Sequence, residues 1–304
     1  MGPWQDPNTT AEGDPRASVD FRGLHTLWFN TGTLCNIECA NCYIESSPRN
    51  DQLSYLTLAE AITYLDEVEQ LGWPTKEVGL TGGEPFMNPD CLAIIEEALK
   101  RGFRVLVLTN AMKPLANKLG NITGLAQQYG NRLTLRVSLD HYTQAVHEAE
   151  RGTGSWAPAL TGLLALQEAG ISTAIAGRHL TNEDESAARM GYQRLFDAKG
   201  LLFNADDPAC LTLFPEMDAS QQATEITTAC WDILSVRPED QMCASSRMVV
   251  KRKEADSPTV LACTLLAYDP QFELGAGLAE ATGPVKLNHP HCSQFCVMGG
   301  ASCS

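Results

Sequence analysis

Long hydrophobic runs are missing from this 304-residue chain. No stretch of about 18 apolar residues occurs, so a membrane-spanning helix is not expected. The opening MGPWQDPNTTAEGDPRASVD has neither the basic start nor the apolar stretch of a signal peptide. Asp6 stands where a myristoylation pattern needs Ser or Thr. Positive charge is scarce: 22 Lys and Arg face 37 Asp and Glu, a net charge of −15. That balance argues against nucleic acid, whose phosphates need a dense basic surface. Internal repeats and low-complexity tracts are absent too. These absences leave the expectation of a cytoplasmic globular protein with no nucleic-acid or membrane partner. The 44% apolar content is enough for a sizeable core.

What the chain does have is cysteine, eleven in all. In a reducing compartment these are not expected to form disulfides. Cys91, Cys210 and Cys230 stand alone and read as buried thiols packing as small hydrophobes. The others fall into two crowds. Cys35, Cys39 and Cys42 lie within eight residues, and Cys243, Cys263, Cys292, Cys296 and Cys303 gather towards the C-terminus.

Between the crowds, short apolar runs alternate with amphipathic ones. Residues 1–22 read as a disordered leader. From 23 to 217, strand signals at HTLWFNTG, EVGLTGG, RVLVLTN, LTLRVSLD, STAIAGRHL and CLTLFPEM are separated by helical segments. Thr57 with Glu60 predicts a capping box for the first of these helices, and Asp90 predicts a cap for the second. Strand–helix alternation implies right-handed crossovers and a parallel sheet. Six strands predict an α/β fold, a partial (β/α)6 TIM-like barrel. The alternation stops near 218, so 218–304 reads as a small cysteine-rich domain. In such folds chemistry gathers at the C-terminal strand ends. Cys35, TGGEP, TNAM, SLDH and AGRH all fall there. One basic run, RMVVKRK from Arg247 to Lys253, reads as a solvated strand face, with a minor role in holding an anionic substrate as the other option.

Three thiolates on one loop are soft ligands for zinc or an iron–sulfur cluster. A structural zinc site closes with four protein ligands, whereas three leave one position open. A Cys-x2-Cys redox pair would not account for Cys35. With this spacing after the first strand, TGGEP at Thr81–Pro85 and SLDHYTQAVHEAERG at Ser138–Gly152, the chain resembles the radical S-adenosylmethionine (SAM) enzymes over about residues 24–217. The resemblance implies a [4Fe–4S] cluster on Cys35, Cys39 and Cys42 with SAM at its open iron, and cleavage of SAM to a 5′-deoxyadenosyl radical that takes hydrogen from a substrate. It implies cofactor contacts at Gly82, Gly83, Glu84, Ser138 and Arg178, with Asn110 a further candidate. Two positions depart from the family's usual pattern. Asn41 stands where many relatives have an aromatic residue, which shifts adenine contact towards the backbone or Tyr43. His141 stands where Gly often follows Ser-Leu-Asp; it is a candidate catalytic acid/base or substrate contact, against a plainer hydrogen-bonded role. His179 has the same ambiguity, while His147 and Arg151 read as bracing a helix.

The tail resembles the SPASM/twitch extensions of the same enzymes, which implies one auxiliary [4Fe–4S] cluster. Cys243, Cys263, Cys292 and Cys296 are the first candidates, with Cys303 a spare or substitute. Zinc is the structural alternative there, and a three-ligand version is possible. The expected function is radical SAM catalysis with a free small molecule the preferred substrate over a peptide, fed by a flavodoxin- or ferredoxin-type donor. Peptide maturation and sulfur insertion are alternative reactions. A non-catalytic SAM-binding iron–sulfur protein is the alternative of another class.

Overall fold

The structure, a computed structural model, describes residues 2–180, 182–217 and 223–302. Its centre is six parallel strands paired in chain order: β1 Thr26–Asn30, β2 Glu77–Thr81, β3 Arg104–Thr109, β4 Leu133–Ser138, β5 Thr173–His179 and β6 Leu211–Pro215. Every residue of β1 is buried, as expected for a parallel strand covered on both faces. The main crossover helices are α1 Leu58–Leu71, α2 Cys91–Lys100, α3 Leu119–Tyr129, α4 Gln144–Arg151, α5 Trp156–Glu168 and α6 Glu185–Lys199. The result is the open α/β partial barrel that the sequence predicts.

Local chemistry sets the helix ends. The Thr57 side chain accepts from Glu60 N while Glu60 Oε2 accepts from Thr57 N, at 3.3 and 2.9 Å, the predicted capping box. Asp90 does something else. Its backbone is already helical, so its carboxylate does not turn back on α2; it accepts from Leu58 N at 2.9 Å and satisfies the first turn of α1.

The C-terminal region extends the same sheet. Strand β7 Ser246–Val250 runs parallel to β1, from Thr26 opposite Ser246 to Phe29 opposite Val249. Strands β8 Thr259–Leu261 and β9 Glu273–Gly275 follow as antiparallel neighbours. At the other edge a π-helical segment, Cys292–Val297, packs on β6, with Phe295 stacked on Phe214 at 5.4 Å between centroids. The tail therefore reaches both edges of the open barrel.

Three expectations need correction. The basic run is a solvated face only in part: Ser246–Val250, Arg247 included, is buried because pairing with β1 makes β7 an interior strand, while Lys251 and Arg252 are half-buried and Lys253 is exposed. The leader is not loose either. Ser18–Val19 pairs with Val285–Lys286, and buried Arg16 forms an ion pair with Glu225, so residues 16–19 form part of the wall of the tail. Of the three isolated cysteines only Cys91 is fully buried; Cys210 and Cys230 are half-buried.

Candidate active site

The loop after β1 is fixed before its thiols are considered. Gly32 N donates to Asn30 Oδ1 at 2.9 Å, and Cys35 N donates to Ser47 O at 3.1 Å. From the β2 end, Gly83 N donates to Gly32 O at 2.8 Å and Glu84 N to Leu34 O at 3.2 Å. This close approach explains the paired glycines. Gly82 has φ +137, and a Cβ there would lie 2.6 Å from Gly32 O; a Cβ on Gly83 would overlap Leu34 O. The TGGEP turn is thus the seat of the cysteine loop.

Cys35, Cys39 and Cys42 lie within electrostatic reach of one another. Burial pushes the Cys35 thiol up to about 12, with the nearby charge of Glu84 adding to it. Burial also raises Cys39, against the pull of Arg151. Neutral thiols of this kind become thiolates when a cation binds them. N–H donors already point at the sulfurs, Asn110 Nδ2 to Cys35 Sγ at 3.8 Å and Ser46 N to Cys42 Sγ at 3.3 Å. Such hydrogen bonds are a recurrent feature of iron–sulfur ligation. Among the described residues no three His, Cys, Asp or Glu side chains are gathered as a single metal ion would need.

These thiols line a cavity of about 220 Å³ inside the barrel. Gly82, Gly83, Asn110, Ser138 and Arg178 line it as well, and so does Tyr43. Among the described residues, Trp28 Nε1, Ser46 Oγ and Arg178 Nη1 are buried on this wall without a hydrogen-bond partner. Orphaned donors of this sort mark a wall shaped for a polar ligand. The arginine orphan suits a carboxylate.

Asn41 is explained by α4. Its Nδ2 donates to Glu150 Oε1 and Oε2 at 3.0 and 2.9 Å, and Ala40 N donates to Glu150 O at 2.7 Å. Glu150 in turn lies 3.6 Å from Arg178, and Arg178 lies 4.0 Å from Asp140. Asp140 pairs with Arg151 at 2.7 Å. Burial alone would raise Asp140, but Arg151 and Arg178 override it and hold the carboxyl below its ordinary value. Glu150, Arg151 and Asp140 were not singled out as site residues by the sequence, although Asp140 and Arg151 fall inside the SLD…ERG match. They tie the cysteine loop to the ends of β4 and β5.

Other candidates sit away from the cavity wall. Glu84 is buried behind it, accepting from Thr109 Oγ1 at 2.9 Å and Asn110 N at 2.9 Å. It joins the β2 turn to the end of β3, and burial raises it to about 7 despite those bonds. His141 is buried and does not line the cavity. Its Nδ1 accepts from Thr143 N at 3.0 Å at the start of α4, it stacks on Tyr142 at 4.1 Å, and Nε2 lies 3.5 Å from Glu183. The ring braces α4, and the catalytic expectation does not fit its position. His179 Nε2 meets Glu183 O at 2.7 Å, also outside the cavity. His147 is fully buried against Trp156, and burial takes it down to about 4.

Cys243, Cys263 and Cys292 approach from separate elements. Cys243 precedes β7, Cys263 follows β8, and Cys292 and Cys296 share the π-helical segment. Cys292 lies within electrostatic reach of Cys263 and Cys243, and burial raises Cys243 to about 11 and Cys292 further. Leu265 N points at Cys263 Sγ at 3.4 Å. Cys303 lies outside the described residues. Thr264, Leu265 and Phe295, the neighbours of Cys263 and Cys296, line the same cavity. Tyr43, next to Cys42, meets His291 and Phe295 edge-on at 5.8 and 6.3 Å.

A family model described as the Radical SAM superfamily matches residues 29–190. The chain belongs to the radical SAM superfamily. The match spans the loop, the TGGEP turn and the β4 and β5 ends, and members of this superfamily use a [4Fe–4S] cluster with SAM. The radical SAM chain is 32% identical over 143 residues to the antilisterial bacteriocin subtilosin biosynthesis protein AlbA of Bacillus subtilis (strain 168), covering 47% of this chain and 30% of that protein. It is 30% identical over 185 residues to the mycofactocin maturase MftC of Mycobacterium tuberculosis (strain ATCC 25618 / H37Rv), covering 57% and 44%. It thus spans less than half the length of these two relatives. The fold also matches Streptococcus suis SuiB bound to precursor peptide SuiA, with TM-score 0.60, 11% identity and coverage of 84% and 63%. A second fold match is native anSMEcpe with bound AdoMet, with TM-score 0.58, 12% identity and coverage of 84% and 79%. Among the described residues no helix is long and apolar enough to cross a membrane.

Proposed function

We propose that this chain is a radical SAM enzyme whose primary cluster is held by Cys35, Cys39 and Cys42 and whose auxiliary cluster is held by Cys243, Cys263, Cys292 and Cys296. The observation that carries the reading is one cavity lined both by the first cysteine loop and by Thr264, Leu265 and Phe295, the neighbours of Cys263 and Cys296. When bound, the cluster and SAM supply a 5′-deoxyadenosyl radical that takes a hydrogen atom from the substrate. The chain's own residues have simpler tasks. Arg178 Nη1 receives the carboxylate of the cofactor, and Gly82 and Gly83 allow backbone approach. Ser138 offers a hydroxyl, Tyr43 an aromatic face, and Asn110 steadies Cys35. Glu84 positions the turn from behind. Trp28, Leu108, Phe214, Leu265 and Phe295 give the cavity an apolar wall that excludes water. Functionally, residues 23–217 act as the catalytic barrel and 218–304 as its auxiliary unit, although one sheet runs through both.

The relatives named for subtilosin biosynthesis and as a mycofactocin maturase support a peptide side chain as substrate. A free small molecule is the second reading, favoured by the modest cavity volume. A flavodoxin- or ferredoxin-type donor in the cytoplasm would supply the electron. Three essential auxiliary cysteines would favour substrate binding or sulfur donation, and four would favour electron transfer. The test is anaerobic reconstitution with iron and sulfide, reduction in the presence of SAM, and chromatography for 5′-deoxyadenosine. Its formation is expected. None at all, with the cluster intact by its absorption spectrum, leaves the non-catalytic SAM-binding alternative standing in place of the enzyme.

A further inference from the structure

Three arginines are buried among the described residues: Arg16, Arg178 and Arg247. Arg16 pairs with Glu225, and Arg178 lies against Glu150 and Asp140. Arg247 is different. Its Nε donates to Ala281 O at 2.7 Å, and Nη1 donates to Cys243 O and Ser246 O at 2.6 and 2.7 Å. Its guanidinium lies over the Phe21 ring at 4.3 Å, and Nη2 has no hydrogen-bond partner among the described residues. Among the described residues no carboxylate pairs with it, and the one charge-bearing group whose field reaches it is the Cys243 thiol. The rest of the basic run is neutralised: Lys251 by Glu60, Arg252 by Glu273 and Lys253 by Asp51.

A buried guanidinium without an anion is strongly unfavourable, because dipoles of carbonyl groups only partly replace its hydration. A fold that keeps one there gains if an anion is supplied at the same place. Cys243 lies beside it, its carbonyl bonded to Nη1, and Cys292 lies within electrostatic reach of both Cys243 and Cys263; an iron–sulfur cluster on these thiolates would be such an anion. We propose that Arg247 is the buried counter-charge of an iron–sulfur site on Cys243, Cys263 and Cys292. This rests on the auxiliary-site reading above and deepens it. Arg247 touches no reacting atom; it is a positioning residue that favours the more negative, reduced form of the site and so raises its potential. The plainer role, bracing three carbonyls, predicts no such dependence.

The experiment uses the full chain carrying Cys35→Ala, Cys39→Ala and Cys42→Ala, so that only tail iron is read. Arg247→Lys keeps the charge, and Arg247→Gln keeps donors without it. Each is reconstituted with iron and sulfide, and iron content, midpoint potential and melting temperature are measured with the site loaded and after chelation. Expected is retention of iron and potential in the Lys variant. The Gln variant should lose iron, or shift the reduction equilibrium at least tenfold, about 59 mV for one electron, towards more negative potential. Its melting temperature should fall more when loaded than when stripped. Phe21→Glu supplies the missing carboxylate without altering Arg247; it should lower the potential too, and it decides the matter if the Gln variant does not fold. A Gln or Phe21→Glu variant equal to the Lys variant in iron and potential, with equal melting losses loaded and stripped, overturns the proposal while leaving the auxiliary site standing. No tail iron in the parent triple variant overturns both.

Discussion

The two cysteine groups are built in opposite ways. Cys35, Cys39 and Cys42 come from one loop, and the loop is held by neighbours on every side: Ser47, the TGGEP turn and Glu150. The tail thiols come from separate segments that meet only because β7 docks parallel to β1 and the π-helical segment reaches β6. The charge around them differs as well. The first group faces arginines already balanced by Asp140 and Glu150, whereas the second has a buried arginine that no carboxylate pairs with among the described residues. A pre-set loop suits a cofactor that must meet SAM in one pose. A site assembled from distant segments ties its occupancy to the integrity of the whole tail.

The comparison breaks first at the thiols themselves. Replacing Cys35, Cys39 and Cys42 with Ala should abolish 5′-deoxyadenosine formation. Cys292→Ala should leave SAM cleavage without substrate in place while removing tail iron. Equal loss of SAM cleavage in both would mean that the sites are not separable. Next, Arg178→Ala removes the charged donor aimed at the cavity. Charge-assisted hydrogen bonds contribute about 1.5–3 kcal/mol, so equilibrium dialysis of the loaded protein should show SAM binding weakened roughly ten- to a hundredfold.

The third effect is a pH dependence lodged in the first site. Burial raises Glu84 from its ordinary 4.5 to about 7, so the folded chain keeps a proton that the unfolded chain releases between these values. The stability this contributes is present below about pH 4.5 and is lost as pH rises through about 7. Melting of the SAM-free protein across that range should show the decline, and Glu84→Gln should flatten it. An unchanged slope in the Gln variant would assign the dependence elsewhere. The smallest effect belongs to Asn41→Ala, which removes the amide held by Glu150. It should cost about 1 kcal/mol, read as a shift in the denaturation midpoint, with the tail's iron unaffected.

The barrel was legible because its strands and helices follow their own periods. The predicted strands lie within one or two residues of β1–β6, and the thiol triplet was plain from spacing alone. What the sequence hid depends on tertiary contact. Asn41 made no sense until α4 placed Glu150 against it, 109 residues away in the chain. His141 resembled a catalytic group because SLDH ends a strand, yet its Nδ1 is taken by Thr143 N. The run RMVVKRK read as solvated because its cations outnumber its apolar residues. In the fold β7 is interior and buries Arg247, while Lys251, Arg252 and Lys253 beyond its end meet Glu60, Glu273 and Asp51 from distant segments. No local pattern reveals which cations of such a run will be matched and which one will be left over.

The central claim is that two separate metal sites face one cavity. Iron counting on the anaerobically reconstituted protein tests it most directly. About eight irons per chain are expected in the parent, as two four-iron clusters require, and about half that number in the variant lacking Cys35, Cys39 and Cys42. Complete loss of iron in that variant would contradict the account, because it would leave the tail without a site of its own.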